Sequence, residues 1–304
     1  MIKTPKTKIL VSFSGGETSA FMINWLLKNK PEHEYRFIFA NTGEENEETL
    51  LFTKQVQDYF GIDLVWVEYK RLSYREVNYE TAYRSHSPEE IANGWKNHPF
   101  RDYIRDFGIP SMANPSCTRE LKEYPISRYI SENGWKPRDY SLAIGIRSDE
   151  LGRVGQYYYP LIGIDATKPM VNAFWDKMPF RLQLRGYEGN CKVCYKKSMR
   201  KLITIARYNP ERFAFFKCME DEFENYVPDR RQDHLDKMGK KIVPPFRFFR
   251  GNKTVSDIFE MAKDSSIEDA IDDSRDKNYQ MSIYHDGTEL DVVNGCVESC
   301  NAFN

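Results

Sequence analysis

The chain has 304 residues, 40% hydrophobic and 14% aromatic, enough to bury a full core and to build one large α/β domain with an appendage. Its 44 basic and 45 acidic residues leave a net charge of -1, which excludes a global field drawing the protein to nucleic acid or to a membrane surface. The lysine-bearing N-terminus runs straight into an apolar segment with no signal-peptide pattern, and no apolar stretch is long enough to span a bilayer. A cytoplasmic protein without a membrane partner is therefore expected. In a reducing compartment, its six cysteines read as metal ligands or redox groups rather than disulfides.

In chain order, residues 8–13 predict a short apolar strand, 14–16 a tight turn and 18–27 an apolar helix. A second strand is expected at 35–40, a turn at 41–43, an acidic helix at 45–60 and a third strand at 64–69. This βαβαβ order implies a parallel sheet, and ligands of such sheets sit beyond the carboxyl ends of the strands. Residues 71–115 read as helix and loop. Within them, Ser87-Pro88-Glu89-Glu90 marks a helix start, because the serine can cap and the proline suits the first turn. A further strand is expected at 140–146, and residues 157–164 read as another strand or an extended loop. Beyond Pro179 the alternation weakens, which divides the chain into a main α/β domain at 1–180 and a smaller cysteine-bearing, helical region at 181–304.

The segment SFSGGETSA at 12–20 places two glycines, Gly15 and Gly16, where a phosphate could approach the backbone. Ser12, Ser14, Thr18 and Ser19 lie around them, and a helix N-terminus points at the same spot. No GKS or GKT follows, so this is not a Walker A loop; the plain alternative is a strand-to-helix turn with serine caps. At the end of the second strand, Asn41, Thr42 and Gly43 offer an amide and a hydroxyl for hydrogen bonding, or simply a capped turn. Arg147, with Arg153 second, carries the forked guanidinium that suits phosphate, although Asp149 and Glu150 offer it ion pairs instead.

Cys191 and Cys194 form a CxxC, and Cys296 with Cys300 a CxxxC; together they supply four thiolates, enough for zinc or an iron–sulfur cube, unless they are free or redox thiols. Cys117 taken alone is a small buried hydrophobe as readily as a functional thiol, and Cys218 reads as packing. Lys196, Lys197, Arg200 and Lys201 make a local basic run, either solvated or touching an acidic or nucleic-acid acceptor. The phenylalanines at 244–259 read as core.

Taken together, these segments resemble the PAPS reductase-like family of the PP-loop (adenine nucleotide alpha hydrolase-like) superfamily. Ser14, Gly15, Gly16 and Ser19 match its SGGxDS or SGGxTS loop, with Thr18 where many relatives carry aspartate. Asn41-Thr42-Gly43, with Glu48-Thr49 on the next helix, resembles DTG…PET, with Asn41 standing for the acid; the resemblance lays this turn against adenine and ribose. IGIRSDELGR resembles the G-x-R segment, which implies that Arg147 reaches a phosphate. PSCTRELKEYP aligns with CCxxRKxxP through Cys117, Lys122 and Pro125, with Thr118 replacing the second cysteine, and GYEGNCKVC resembles GY…GCxxC. In the iron–sulfur branch of the family, the paired cysteines and the later CxxC hold a [4Fe–4S] cluster, so one ligand here is missing or comes from elsewhere.

The resemblance implies a parallel-sheet PP-loop α/β fold with a smaller C-terminal cysteine-containing region. It implies an adenine nucleotide ligand, ATP or PAPS, with Mg2+ a candidate companion. Cys117 and Arg147 become catalytic candidates, and [4Fe–4S] or zinc the candidate metal centre. Two reactions follow: reduction of a sulfonucleotide with a thiol reductant, or adenylation by ATP followed by sulfur transfer to RNA or DNA. A non-catalytic nucleotide binder is a third reading. The ECGLH-like tail of the reductases is absent, with GCVESC in its place.

Overall fold

The computed structural model describes residues 5–239 and 243–276; the expected ligands Cys296 and Cys300 lie outside them. Strand β1, Lys8–Phe13, leads through the glycine loop into helix α1, Glu17–Asn29. β2, Glu34–Asn41, is followed by α2, Glu47–Phe60, and then by β3, Leu64–Lys70. β4, Ser73–Val77, and β5, Tyr140–Ala143, complete a five-stranded sheet in the order β4-β3-β2-β1-β5. Every pairing is parallel except the β3–β4 edge hairpin.

Burial on both faces explains why the central strands carry near-continuous apolar runs. Ile9, Val11 and Phe13 of β1 pack with Met22, Ile23 and Leu26 of α1 and with Leu50 and Val56 of α2. Leu10, Ile38 and Val67 face the other way, against Ile126, Ile130 and Trp135. The chain steps outward from β1 to β3 and later returns to β5 on the opposite side of β1. The strand order therefore reverses beside β1, and a crevice opens at the carboxyl ends of β1 and β5.

A third cluster joins Tyr69, Phe100, Tyr103, Ile104 and Leu121 to Val193, Tyr195, Leu202, Phe213, Phe216, Phe248 and Ile258. The phenylalanines Phe248 and Phe249 are core, as expected. The helix start at Ser87 also holds, its side chain accepting from Glu90 N–H at 3.2 Å.

Two elements differ from the sequence reading. β4 falls in the stretch read as helix and loop; its hairpin turns on Arg71 and Leu72 at φ 43° and 62°, a left-handed pair with neither the glycine nor the asparagine that signals such a turn. The strand expected through residue 146 ends at Ala143, and residues 157–164 give a single bridge, Ala143 to Tyr158, before a short 3-10 turn at Ile162–Ile164.

Candidate functional site

The loop after β1 opens into a cleft with about 780 Å³ of empty space, lined by Ser14, Gly16, Thr18 and Ser19 on one side and by Gly145 and Arg147, beyond β5, on another. A Cβ on Gly145 would lie 2.8 Å from Ser19 Cα, so the absence of a side chain there lets the β5 loop lie on α1. Gly16 is the N-cap of α1, and no side chain caps this end. The positive end of the helix dipole and its first N–H groups thus face the cleft, the arrangement that binds anions. Ser14 and Ser19 hydroxyls bond each other at 2.8 Å, and Ser19 donates to Gly16 O at 2.9 Å.

The two glycines do different work. Gly15 adopts φ +78°, where an added Cβ would run into Thr49 and Phe39, whereas Gly16 alone of the pair borders the cleft. Arg147, 2% exposed, makes the ion pair its neighbours offered, Nε donating to Asp149 at 2.8 Å, while one terminal nitrogen donates to Thr18 Oγ1 at 3.1 Å on the cleft wall. Arg153 instead pairs with Glu150 at 2.6 Å.

More of the cleft lining comes from residues that sequence reasoning passed over. Lys168 sits in the first turn of the helix Lys168–Trp175, with its ammonium 3.3 Å from Asp273. Arg181 is held bidentate by Glu17 at 2.8 and 2.9 Å, and Arg185 and Asn190 also line the cleft. One signal for Lys168 was available. A lysine opening an apolar helix opposes the helix dipole, which is tolerated where an anion or carboxylate compensates.

The turn after β2 is knitted inward. Asn41 donates to Glu68 at 2.6 Å and accepts from Gly43 N–H at 3.1 Å, and Glu68 in turn pairs with Arg75 and Arg84 at 2.7 and 3.2 Å. Thr42 donates to Glu45 from both its N–H and its hydroxyl. Burial pushes the Glu45 carboxyl above its ordinary range, with Lys122 and Thr42 opposing. Gly43 has φ +85°, and a Cβ there would meet His98 Cε1 at 2.6 Å.

Immediately beyond this turn, residues 44–46 run against residues 189–192. Asn46 N–H donates to Asn190 O, Lys192 N–H to Glu44 O, each at 2.8 Å, and Glu45 bridges Cys191. The pairing brings the CxxC to the sheet, and Asn190 Nδ2 donates to Ser14 O at 2.6 Å, tying it to the glycine loop. Cys191 and Cys194 thereby line one pocket with Cys117, Thr42, Glu44 and Lys122. Cys117 Sγ lies 3.3 Å from Tyr195 Oη. Burial pushes the Cys191 thiol upward, opposed by Lys122, so without a bound cation it stays protonated. Among the described residues, no three His, Cys, Asp or Glu side chains converge on a single ion position.

The phosphoadenosine phosphosulfate reductase domain family matches residues 8–156, the stretch that carries the glycine loop, Cys117 and Arg147. The chain belongs to this PP-loop family. It is also similar to the uncharacterized nin region protein ORF290 of Escherichia phage lambda, at 31% identity over 200 residues, which cover 64% of this chain and 67% of that protein.

Within this PAPS reductase-domain chain, the expected site residues fall into two neighbouring groups. Ser14, Gly16, Thr18, Ser19 and Arg147 line the cleft, and Thr42, Cys117, Cys191 and Cys194 line the cavity; Asn190 and Cys191 put one on each side of a shared wall. Ser12, Gly15, Asn41 and Gly43 border neither and support the backbone behind them. The basic run is folded inward rather than forming one solvated face. Lys197 is buried and donates to Cys191 O at 2.6 Å, Lys196 reaches Thr118 at 3.4 Å, and Lys201 reaches Gly186 O at 3.5 Å. No helix among the described residues is long and apolar enough to cross a membrane.

Proposed function

We propose that this chain is a PAPS reductase-like enzyme of sulfur metabolism that holds an adenine nucleotide with its phosphates in the cleft at the N-terminus of α1. The observation that carries this reading is the convergence there of an uncapped helix end, Gly16, Thr18, Arg147 and Lys168, with three cysteines one wall away. Gly16 and the first N–H groups of α1 would take phosphate oxygens; Arg147 and Lys168 would supply positive charge. Ser12, Gly15, Asn41 and Gly43 would hold the two loops in shape, with Thr42 at the edge of the cysteine cavity.

Cys117 would be the reactive thiol or, with Cys191 and Cys194, a ligand of a [4Fe–4S] cluster or zinc. Three thiols, the soft donors such a centre takes, line one pocket with Phe100, Leu121, Val193 and Phe216, while no three donors among the described residues converge on a single ion position. When bound, such a centre supplies the positive charge that keeps these thiols deprotonated.

A second reading keeps the site and uses ATP with Mg2+: adenylation of an acceptor oxygen with release of pyrophosphate, then sulfur transfer to RNA or DNA. Lys168 favours it, because a second cation on the cleft lining, next to Arg147 through their shared partner Asp149, suits a polyphosphate.

Anaerobic calorimetric titration with ATP and, separately, PAPS tests both, with Gly16→Asp as control. PAPS binding lost in the variant supports the reductase reading. ATP binding with pyrophosphate release supports the transferase reading, and failure to bind either nucleotide overturns both.

A further inference from the structure

Residues 272–276 border the cleft through Asp273, Ser274 and Arg275, so part of its lining comes from a segment far along the chain. They bridge the helix Lys168–Trp175 and residues 183–186. On the helix side, Lys168 Nζ lies 3.3 Å from the Asp273 carboxylate and Asn172 Nδ2 donates to Asp276 O at 2.9 Å. On the other, Gly186 N–H donates to Asp272 at 2.8 Å and Arg275 donates to Gln183 at 2.9 Å. The fit is close, since a Cβ on Gly186 would lie 1.9 Å from Asp273 Oδ1 and 3.0 Å from its backbone nitrogen.

This segment is anchored unevenly. Ile267 and Ala270 pack on the core, and Ala270 N–H donates to Thr204 Oγ1 at 2.9 Å. Ile271 is then 84% exposed, and residues 272–276 carry no apolar side chain. Polar contacts at the surface hold the segment in place, each exchangeable for water or for a ligand at small cost. Lys168 itself is buried, and its backbone N–H shares Asp149 with Arg147 Nε, at 3.0 and 2.8 Å. The Asp273 carboxylate therefore holds the ammonium that a ligand anion beside Arg147 would meet.

We infer that Asp273 is an internal competitor for the anion position at Lys168, and that residues 272–276 form a strap which a ligand displaces as it fills the cleft. The inference rests on the proposed reading of the cleft as a phosphate site and names the ligand class that site selects. A nucleotide with a second anionic group, beyond the phosphate held at the N-terminus of α1, replaces Asp273 on Lys168. A mononucleotide, with its one phosphate at α1, leaves the strap closed. Asp273 thus sets a threshold of ligand charge, and the fraction of chains with the strap open scales the affinity of every ligand that must displace it.

The test titrates the full-length protein with ATP, PAPS and AMP by calorimetry, and follows amide hydrogen exchange with and without ATP. Ligands ordinarily slow exchange in the residues that line their site. Here ATP should speed it at Gly186 and Ser274, whose N–H groups both donate to Asp272, and AMP should not. Asp273→Asn should bind ATP and PAPS about three- to tenfold tighter with AMP affinity unchanged, because an amide does not hold the ammonium as a carboxylate does. Gly186→Ala, whose methyl pushes the strap away without altering any charge, should give the same gain. In a Lys168→Met background, Asp273→Asn should change nothing.

ATP binding with exchange at these amides unchanged or slowed, or no gain in Asp273→Asn, overturns the strap while leaving the cleft standing. An equal gain for AMP, or a gain that survives in the Lys168→Met background, reports a diffuse charge effect instead of competition at Lys168 and also overturns it. Weaker binding in Asp273→Asn, with or without earlier melting, makes Asp273 a fixed part of the site and has the same consequence. Failure of wild type to bind any of the three nucleotides removes the phosphate reading of the cleft, and the strap with it.

Discussion

The paired glycines of the loop after β1 can be separated by single alanines, because one serves the fold and the other the cleft. A Cβ on Gly15 would lie 2.7 Å from Thr49 Cγ2 and 3.1 Å from Phe39 Cε2, at φ +78°. The left-handed backbone costs a non-glycine residue about 1–2 kcal/mol, and pushing a methyl into packed side chains costs about 1–3 kcal/mol. Gly15→Ala should therefore lose about 2–5 kcal/mol. At roughly 2–4 °C per kcal/mol for a chain of this size, the melting temperature falls by about 4–20 °C. Gly16 has φ -105°, and its nearest neighbour to an added Cβ is Asn190 at 3.5 Å, an ordinary contact. Gly16→Ala should leave stability within about 1 kcal/mol of wild type, helped by the smaller entropy of its unfolded chain. Its methyl borders the cleft, so nucleotide affinity should fall at unchanged melting temperature. Thermal unfolding by circular dichroism and calorimetric titration with ATP and PAPS measure the two effects. Equal melting losses in both variants, or none in Gly15→Ala, would refute the division of labour.

Three further outcomes follow from named contacts. Asn41→Asp restores the acid of related sequences but sets a carboxylate where the amide donates to buried Glu68 at 2.6 Å. It should lower stability by about 3 kcal/mol at pH 8. One carboxyl of the pair would be forced to hold its proton, a raised folded pKa, so the deficit should shrink as the pH falls towards 5; a deficit independent of pH counts against the mechanism. Arg147→Lys keeps the charge but cannot hold Asp149 and Thr18 together, and nucleotide affinity should drop about tenfold or more in titration. An unchanged affinity would remove Arg147 from the site. Burial, with Lys192 and His98 adding to it, pushes His86 down to about 3 from an ordinary value near 6.5. Its contribution to stability is therefore present above about pH 6.5 and is lost as the pH falls towards 3, while the unfolded chain takes up a proton that the folded one refuses. Denaturant melts of wild type and His86→Gln should converge across that window, and parallel curves would contradict the assignment.

Local chemistry made the PP-loop half of this chain legible before any coordinates. The apolar run at Lys8–Phe13, the glycines after it and the periodic helix Glu17–Asn29 depend on neighbours in sequence, and the same holds for β2, α2, β3 and the Ser87 cap. The Arg71–Leu72 hairpin was not legible, because its left-handed backbone is held by the pairing of β4 with β3 rather than by a glycine. The meeting of Cys117 with Cys191 and Cys194 was implied by the family resemblance but by no local pattern. That depends on backbone pairing between residues 44–46 and 189–192, in which residues of ordinary type contribute amides and carbonyls that carry no sequence signature. Sequence determined which groups could bind a phosphate or a metal. The tertiary structure decided which of them share a wall, since chain reversal at the switch point and main-chain bonds between distant segments set distances that no local pattern encodes.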